Sequence, residues 1–354
     1  METIKKTVFE SRKIKEKTWK TYERYIKELA GDNISGTDFL TDTDKINEIL
    51  SSFSDSKRRM ALAVILVVLS PDKSMTPQRN KQTNEIIWDE NSTELYKHYH
   101  SLHGAISKIY TEKQEQNQKS EKQAENWASW EQILKLQRKY MNTIRRKKYN
   151  KKTVLTKIEQ KYLQDYLIIS LYTLIKPRRL DYGVNNDGLY GCEVANEKDY
   201  NQLPQEEKEN KNVLVIKSNI KKYFMFGSGA QKTEAGMTKG LYKMDVPKSL
   251  NRVLQLWRKF NVSSETFSPL LLKSNKSKDE DFLRQLTKDG LSKSLMRIFK
   301  AEFPNKKISA QILRTIFKTH FNKSYHKTIA EKKKCAEEMG HSFQTGELHY
   351  VKLN

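Results

Sequence analysis

Cysteine is nearly absent from this chain: two in 354 residues, Cys192 and Cys335. That excludes a disulfide-stapled secreted framework and supplies none of the paired spacings of a zinc site, so an intracellular, reducing compartment is expected. Long apolar runs are also missing. No stretch reaches the ~18 residues of a membrane-spanning helix, so no membrane partner is expected. The opening METIKKTVFESRKIKEK is basic but lacks the apolar middle of a secretory signal. There is no Gly-x-x-x-x-Gly-Lys loop to cradle nucleotide phosphates and no Gly-x-Ser-x-Gly elbow to present a serine. Nothing asks for ATP; no cofactor and no metal are expected, and no internal repeat is seen. Acidic residues are in short supply: 43 Asp and Glu face 66 Lys and Arg, a net charge of +23. A surplus of that size points to a polyanionic partner, nucleic acid before a membrane surface.

What is present is mostly helical periodicity. TWKTYERYIKELA aligns Trp19, Tyr22, Tyr25, Ile26 and Leu29 on one stripe. DTDKINEILSSF follows with Asp42 as its cap, and SKRRMALAVILVVLS reads as a helix buried on most sides. Pro71 and Pro77 bracket a break before helical spacing resumes. The polar stretch 112–126 lacks an apolar stripe and reads as a helix end running into a linker. The expected division is a helical domain over 1–115, a linker over 116–126 and a second domain over 127–354. In the second domain, NVLVIK, KKYFMFG and LYKMDVP alternate as short strands among helices. The fold class expected is mainly α, with a small antiparallel β-sheet in the C-terminal domain.

The candidate chemistry lies at the far end, in EEMGHSFQTGELHYVKLN. On one straight helix the nine-residue offset would put His341 and Tyr350 on opposite faces, at about 100° per residue. Gly340 and Gly346 interrupt the helix, however, and Ser342 and Thr345 are both candidate caps. A helix ending at Gly340, a turn carrying His341 and a short last helix carrying Tyr350 would bring imidazole and phenol together. A phenol is a poor nucleophile at neutral pH unless cations or a base support the phenolate. Two arginines stand in apolar helical settings: Arg178 in LYTLIKPRRLDYG, with Asp181 placed to hold it, and Arg314 in ISAQILRTIFKTHF. Guanidinium groups suit a phosphodiester transition state, because they engage two oxygens and keep their proton.

In chain order these elements are Arg178-x-x-Asp181, Lys232 in a hairpin, Gln311-x-x-Arg314, Gly340-His341 and Tyr350. The order resembles the tyrosine recombinase (phage-integrase) family, whose pattern is Arg with an acid three residues on, a hairpin Lys, His-x-x-Arg, Gly-His, and Tyr nine residues after that His. The resemblance covers most of the chain and is nearest to divergent recombinases of large eukaryotic DNA viruses and mobile elements. It implies a two-domain architecture, a core-binding domain and a catalytic domain clamped about duplex DNA. It also implies a 3′-phosphotyrosyl intermediate on Tyr350, phosphate held by Arg178 and Arg314 with His341 assisting, and Lys232 as general acid. Self-association on DNA, from dimer to tetramer, would follow, in the nucleus or wherever the element's DNA resides. Gln311 departs from the pattern: an amide donates a hydrogen bond but cannot shuttle a proton near pH 7.

Other readings of the same residues stand beside these. Lys217 and Lys239 compete with Lys232 as the hairpin lysine. The run Arg145, Arg146, Lys147, Lys148 reads as DNA-binding surface, and otherwise as a solvated face or an import signal. His98, His100 and His103 resemble a metal site, but they do not share one helix face and no carboxylate or cysteine lies close by, so no metal is expected there. A type IB topoisomerase, or a catalytically silent DNA-binding protein, would fit a similar pattern.

Overall fold

A computed structural model describes residues 1–12, 14, 16–32, 34, 36–80, 82–83, 85–185, 191–227, 240–261, 266–273, 285–324 and 327–352. The chain is mainly helical and divides into two compact units, Met1–Gln116 and Asn117–Asn354. Among the described residues no helix is long and apolar enough to cross a membrane.

The first unit holds α1 (Glu2–Arg12), α2 (Glu16–Ala30), α3 (Thr43–Ser51), α4 (Asp55–Leu69) and α5 (Glu94–Glu115). A two-stranded antiparallel ribbon, β1 (Gln78–Arg79) and β2 (Ile86–Ile87), precedes α5. Asp42 caps α3 by accepting from the Lys45 amide, which satisfies one of the donors a helix start leaves open. The aromatic stripe of α2 is buried at Trp19, Tyr25, Ile26 and Leu29, and α4 buries Ala61, Leu62, Val64, Ile65 and Val68. The histidines of α5 serve packing: His100 stands edge-on to Trp88 and stacks with Tyr96, and His98 lies against Tyr99.

The second unit begins earlier than the expected domain. Residues 117–126, expected as a linker, contain α6 (Glu121–Glu125), started by a Ser120–Gln123 capping box. The Asn126 side chain accepts from the Lys307 amide, and Lys306 donates to the Trp127 carbonyl, so this segment is docked on its own unit. Then come α7 (Trp130–Arg146) and α8 (Lys157–Leu171), the latter buried continuously from Tyr166 to Leu171. The sheet follows as β3 (Cys192–Asn196), β4 (Asn212–Ile216), β5 (Lys222–Phe226), β6 (Tyr242–Asp245) and β7 (Ser268–Pro269). Two short helices, α9 (Glu197–Gln202) and α10 (Gln205–Asn210), connect β3 to β4, and α11 (Lys248–Phe260) precedes β7. The chain closes with α12 (Lys288–Lys300), α13 (Ala310–Lys323), α14 (Ile329–Glu338) and α15 (Phe343–Thr345), which runs into a wide i→i+5 turn over Gly346–Tyr350.

The strand order is β6-β5-β4-β3-β7. Expected as purely antiparallel, this larger sheet is mixed, because β3 pairs parallel to β4 while the other pairs are antiparallel. The helical crossover through α9 and α10 makes the parallel pairing possible, since a tight hairpin cannot join parallel strands. CEVAN and Ser-Pro carry little β-propensity, which is why β3 and β7 escape a propensity reading.

Candidate functional site

The C-terminus of α14 organises the site. Gly340 takes a left-handed φ of +74°; its amide donates to Glu337 O at 2.9 Å, and the His341 amide donates to Ala336 O at 3.1 Å. That pattern is a Schellman motif, and glycine enters it without the strain a side chain would bring. It turns the chain back, so His341 does not continue the helix. The next three carbonyls would be left open at the negative end of the helix. Three arginines fill them: Arg178 Nη1 donates to Glu338 O at 3.0 Å, Arg314 Nη2 to Met339 O at 3.0 Å, and Arg179 Nη1 to Gly340 O at 3.1 Å.

Each arginine reaches this point for a local reason. α8 ends at Leu171, well before Pro177, and the segment that follows buries Arg178 and Asp181. Arg178 is 0% exposed, donates from Nε to Asp181 Oδ2 at 2.8 Å, and lies 3.7 Å from the Phe226 ring centroid. Asp181 is in turn fixed to the sheet, because Asn212 Nδ2 donates to its carbonyl at 2.9 Å. Arg314 rides on α13, started by Ser309 as cap, and is 1% exposed. Its Nε and Nη1 are buried and find no hydrogen-bond partner among the described residues. Burial, reinforced by Arg179 and Arg178, pulls its pKa down to about 10 against the opposing pull of Tyr350 and Asp181.

Ser342 caps α15 by accepting from the Thr345 amide, and the wide turn then delivers Tyr350 back to α13. The Tyr350 ring stacks on His341, with centroids 4.8 Å apart and planes 9° from parallel. The Arg314 guanidinium carbon is 4.6 Å from the same ring's centroid. The Tyr350 hydroxyl donates to Gln311 Oε1 at 3.2 Å, at the exposed edge of α13. Gln311 and Arg314 therefore share the helical face that meets the tyrosine.

His341 Nδ1 lies 2.8 Å from Ser342 O. A carbonyl only accepts, so the proton is on Nδ1 and Nε2 carries the lone pair. That Nε2 is buried and unpartnered among the described residues. Burial first, then Arg314, Lys318 and Arg179, push the imidazole pKa down to about 3, against the Ser342 carbonyl. Among the described residues two guanidinium nitrogens and one imidazole nitrogen thus lack partners beside the Tyr350 ring. A buried charge without a counter-ion is costly, and an oxyanion would supply what these groups lack. His341 would gain basicity as the anion arrived and could then donate from Nε2.

The structure brings Arg178, Asp181, Gln311, Arg314, His341 and Tyr350 together. Lys232 and Lys239 lie outside the described residues. Their connection leaves β5 at Phe226 and returns in β6 at Tyr242, whose ring centroids are 3.7 and 5.9 Å from the Arg178 guanidinium. Register carries Lys217 away from the arginines. Asn212 pairs with Phe226, so Lys217 emerges at the other end of the sheet, five residues of strand or ~16 Å away at ~3.3 Å each. There it pairs with Glu197 at 3.2 Å. Arg145, Arg146, Lys147 and Lys148 are all exposed where α7 ends, Lys148 with φ +53°. Arg179 stands directly beside Arg178 in the sequence, whereas Lys318, one helical turn beyond Arg314 on the same face, and Glu347 belong to none of the motifs. Among the described residues no group of His, Cys, Asp or Glu side chains assembles as a metal site. No family model, no curated protein and no solved structure matches this chain.

Proposed function

We propose that this chain breaks and rejoins DNA through a covalent bond between Tyr350 and a 3′-phosphate, as a site-specific recombinase of the tyrosine type. The observation that carries the reading is the pairing of a buried tyrosine with Arg314, whose Nε and Nη1 are buried and unfilled. A structural arginine satisfies its donors; this one holds two in reserve beside a phenol.

In the proposed step the Tyr350 oxygen forms a bond to phosphorus as the bond from phosphorus to the 5′-oxygen breaks, and the phenolic proton passes to water at the exposed edge of α13 beside Gln311. Arg314 offers its unfilled N–H groups to a non-bridging oxygen, and Arg178, aligned by Asp181, adds its charge. His341 Nε2 accepts a proton as the anion enters and then donates to the phosphate. Gln311 Oε1 orients the tyrosine hydroxyl but cannot serve as its base at neutral pH. The departing 5′-oxygen must gain a proton, for which Lys232 is the proposed donor. The phosphotyrosyl bond keeps the phosphodiester energy, so a 5′-hydroxyl of another strand can reverse the step without a cofactor. The partner is duplex DNA, bound through lysine and arginine contacts to phosphates, including Arg145, Arg146, Lys147 and Lys148. The two-domain clamp and assembly to a tetramer on DNA belong to the same proposal.

The test uses a duplex selected from a random-sequence pool by binding at low salt, then nicked so that cleavage cannot reverse. The wild type should form an adduct that survives SDS, and Tyr350→Phe should bind equally and form none. An adduct in the Phe variant places the nucleophile elsewhere; no adduct in either protein leaves a silent DNA-binding protein. Supercoil relaxation without strand exchange between two sites would favour a type IB topoisomerase.

A further inference from the structure

One side chain on the working face of α13 has no part in that chemistry. Lys318 lies four residues after Arg314 and is 0% exposed. Its Nζ is 2.8 Å from Glu347 Oε1, in the turn that carries Tyr350. The other Glu347 oxygen accepts from Asn322 Nδ2 at 2.9 Å and lies 3.7 Å from Lys332 Nζ on α14. One carboxylate in the turn is thereby gripped from two helices. On the inner side the lysine stem lies against Gly346, where an added Cβ would sit 3.5 Å from Lys318 Cε and 2.8 Å from His341 Cε1. The neighbouring Thr319 completes the grip: its hydroxyl donates to Tyr350 O at 3.2 Å and accepts from the Lys352 amide at 3.0 Å.

An aliphatic side chain would fill this space without the cost of burying an ammonium. A charge does what an aliphatic cannot: it fixes Glu347 at one place along the turn and adds positive field at the imidazole. We propose that Lys318 is a positioning residue, which with Glu347 locks the Gly346–Tyr350 turn onto α13 so that the tyrosine ring meets Arg314 and His341. The consequence for His341 follows from the groups on the elements around it. Arg314 and Lys318 from α13, and Arg178 and Arg179 from the segment after α8, are positive. Glu347 and Tyr350 come from the turn, and Cys335 and Glu338 from α14. Positive charge prevails, and the imidazole stays neutral with Nε2 open.

The inference rests on the proposed reaction for one of its two readouts. The first readout needs no DNA: histidine-labelled NMR, with His341 assigned through His341→Asn. In folded Lys318→Met, the His341 titration midpoint should rise by about one pH unit or more. The second is adduct formation, which should fall by about 10-fold to 10²-fold with DNA affinity unchanged, because a displacement of about 1 Å at a reacting group has that effect. If Glu347→Gln fails to fold by leaving the lysine unpaired, Lys318→Met/Glu347→Gln should recover the fold. A folded Lys318→Met with the His341 midpoint unmoved, and adduct formation within about twofold of wild type, would make Lys318 a space-filler and overturn the proposal. A wild type that forms no adduct, while the His341 midpoint still moves in Lys318→Met, would defeat the reaction and leave the positioning intact.

Discussion

The guanidinium of Arg314 and the ring of Tyr350 face each other at 4.6 Å, out of water, with one guanidinium nitrogen bonded to Met339 O and two without a partner among the described residues. A cation over a phenol ring gains on the order of 1–2 kcal/mol when desolvated, less than the ion loses on leaving water. The contact therefore leaves the arginine under-compensated. In the proposed reaction a phosphate drawn to those nitrogens would arrive beside the tyrosine, so one cation would both attract the substrate and border the nucleophile.

Arg314→Met should separate stability from activity. Removing a buried, half-paired charge is expected to leave thermal stability unchanged or raise it. Adduct formation should fall by about 10²–10³-fold, the usual effect of losing one strong transition-state contact. Melting curves and adduct gels decide it. A loss of more than about 3 kcal/mol of stability would mean that the bond to Met339 O dominates and that Arg314 is structural.

Gln311 offers the opposite separation, because its side chain is exposed and its contact is to the Tyr350 hydroxyl. Gln311→Ala should keep stability within about 0.5 kcal/mol, as exposed substitutions do. Adduct formation should slow by about tenfold as the hydroxyl loses its orienting acceptor. Gln311→His should retain activity. Full activity in the alanine variant would show that the hydrogen bond has no role in cleavage.

Gly346→Ala tests how closely the turn is packed. The backbone there is helical, so no dihedral strain arises, but the new methyl would stand 2.8 Å from His341 Cε1. The imidazole is stacked on Tyr350 and bonded to Ser342 O, which limits its retreat. A stability loss of about 1–3 kcal/mol is expected from overpacking, with a shifted His341 resonance. An unaltered spectrum and melting point would mean that the ring has room to move.

The pH dependence of stability follows from His341. Its pKa is pushed down to about 3 in the folded chain, below the ordinary ~6.5 of the unfolded chain. Between those values the unfolded state binds the extra proton. Stability should therefore be fully present above about pH 6.5 and fall as the pH drops toward 3. Over the window the loss is on the order of a few kcal/mol. Chemical denaturation across that range should show a shallower slope in His341→Asn. Equal slopes in the two proteins would place the acid sensitivity elsewhere.

Sequence by itself determined the long helices and several of their ends, though not the short α6, α9 and α10, because those long elements depend on spacing within a few residues. The α2 stripe, the Asp42 cap and the Gly340 stop are all local arrangements of apolar spacing, a short polar side chain and a missing Cβ. Residues able to serve a phosphate were also visible, as arginines placed where bare charge is unfavourable. Tertiary structure decided which of them meet. Arg178 joins Glu338 O across 160 positions of sequence and Tyr350 joins Gln311 across 39, distances over which helical or strand periodicity carries no information. It also decided the parallel β3–β4 pairing, the placement of Lys217 at the far end of the sheet and the burial of Lys318, none of which has a local signature. Local conformation follows from each residue's own backbone and nearest neighbours. A buried cluster of positive charge instead arises from the summed burial of a whole unit, which alone can offset the desolvation of Arg178, Arg314 and Lys318.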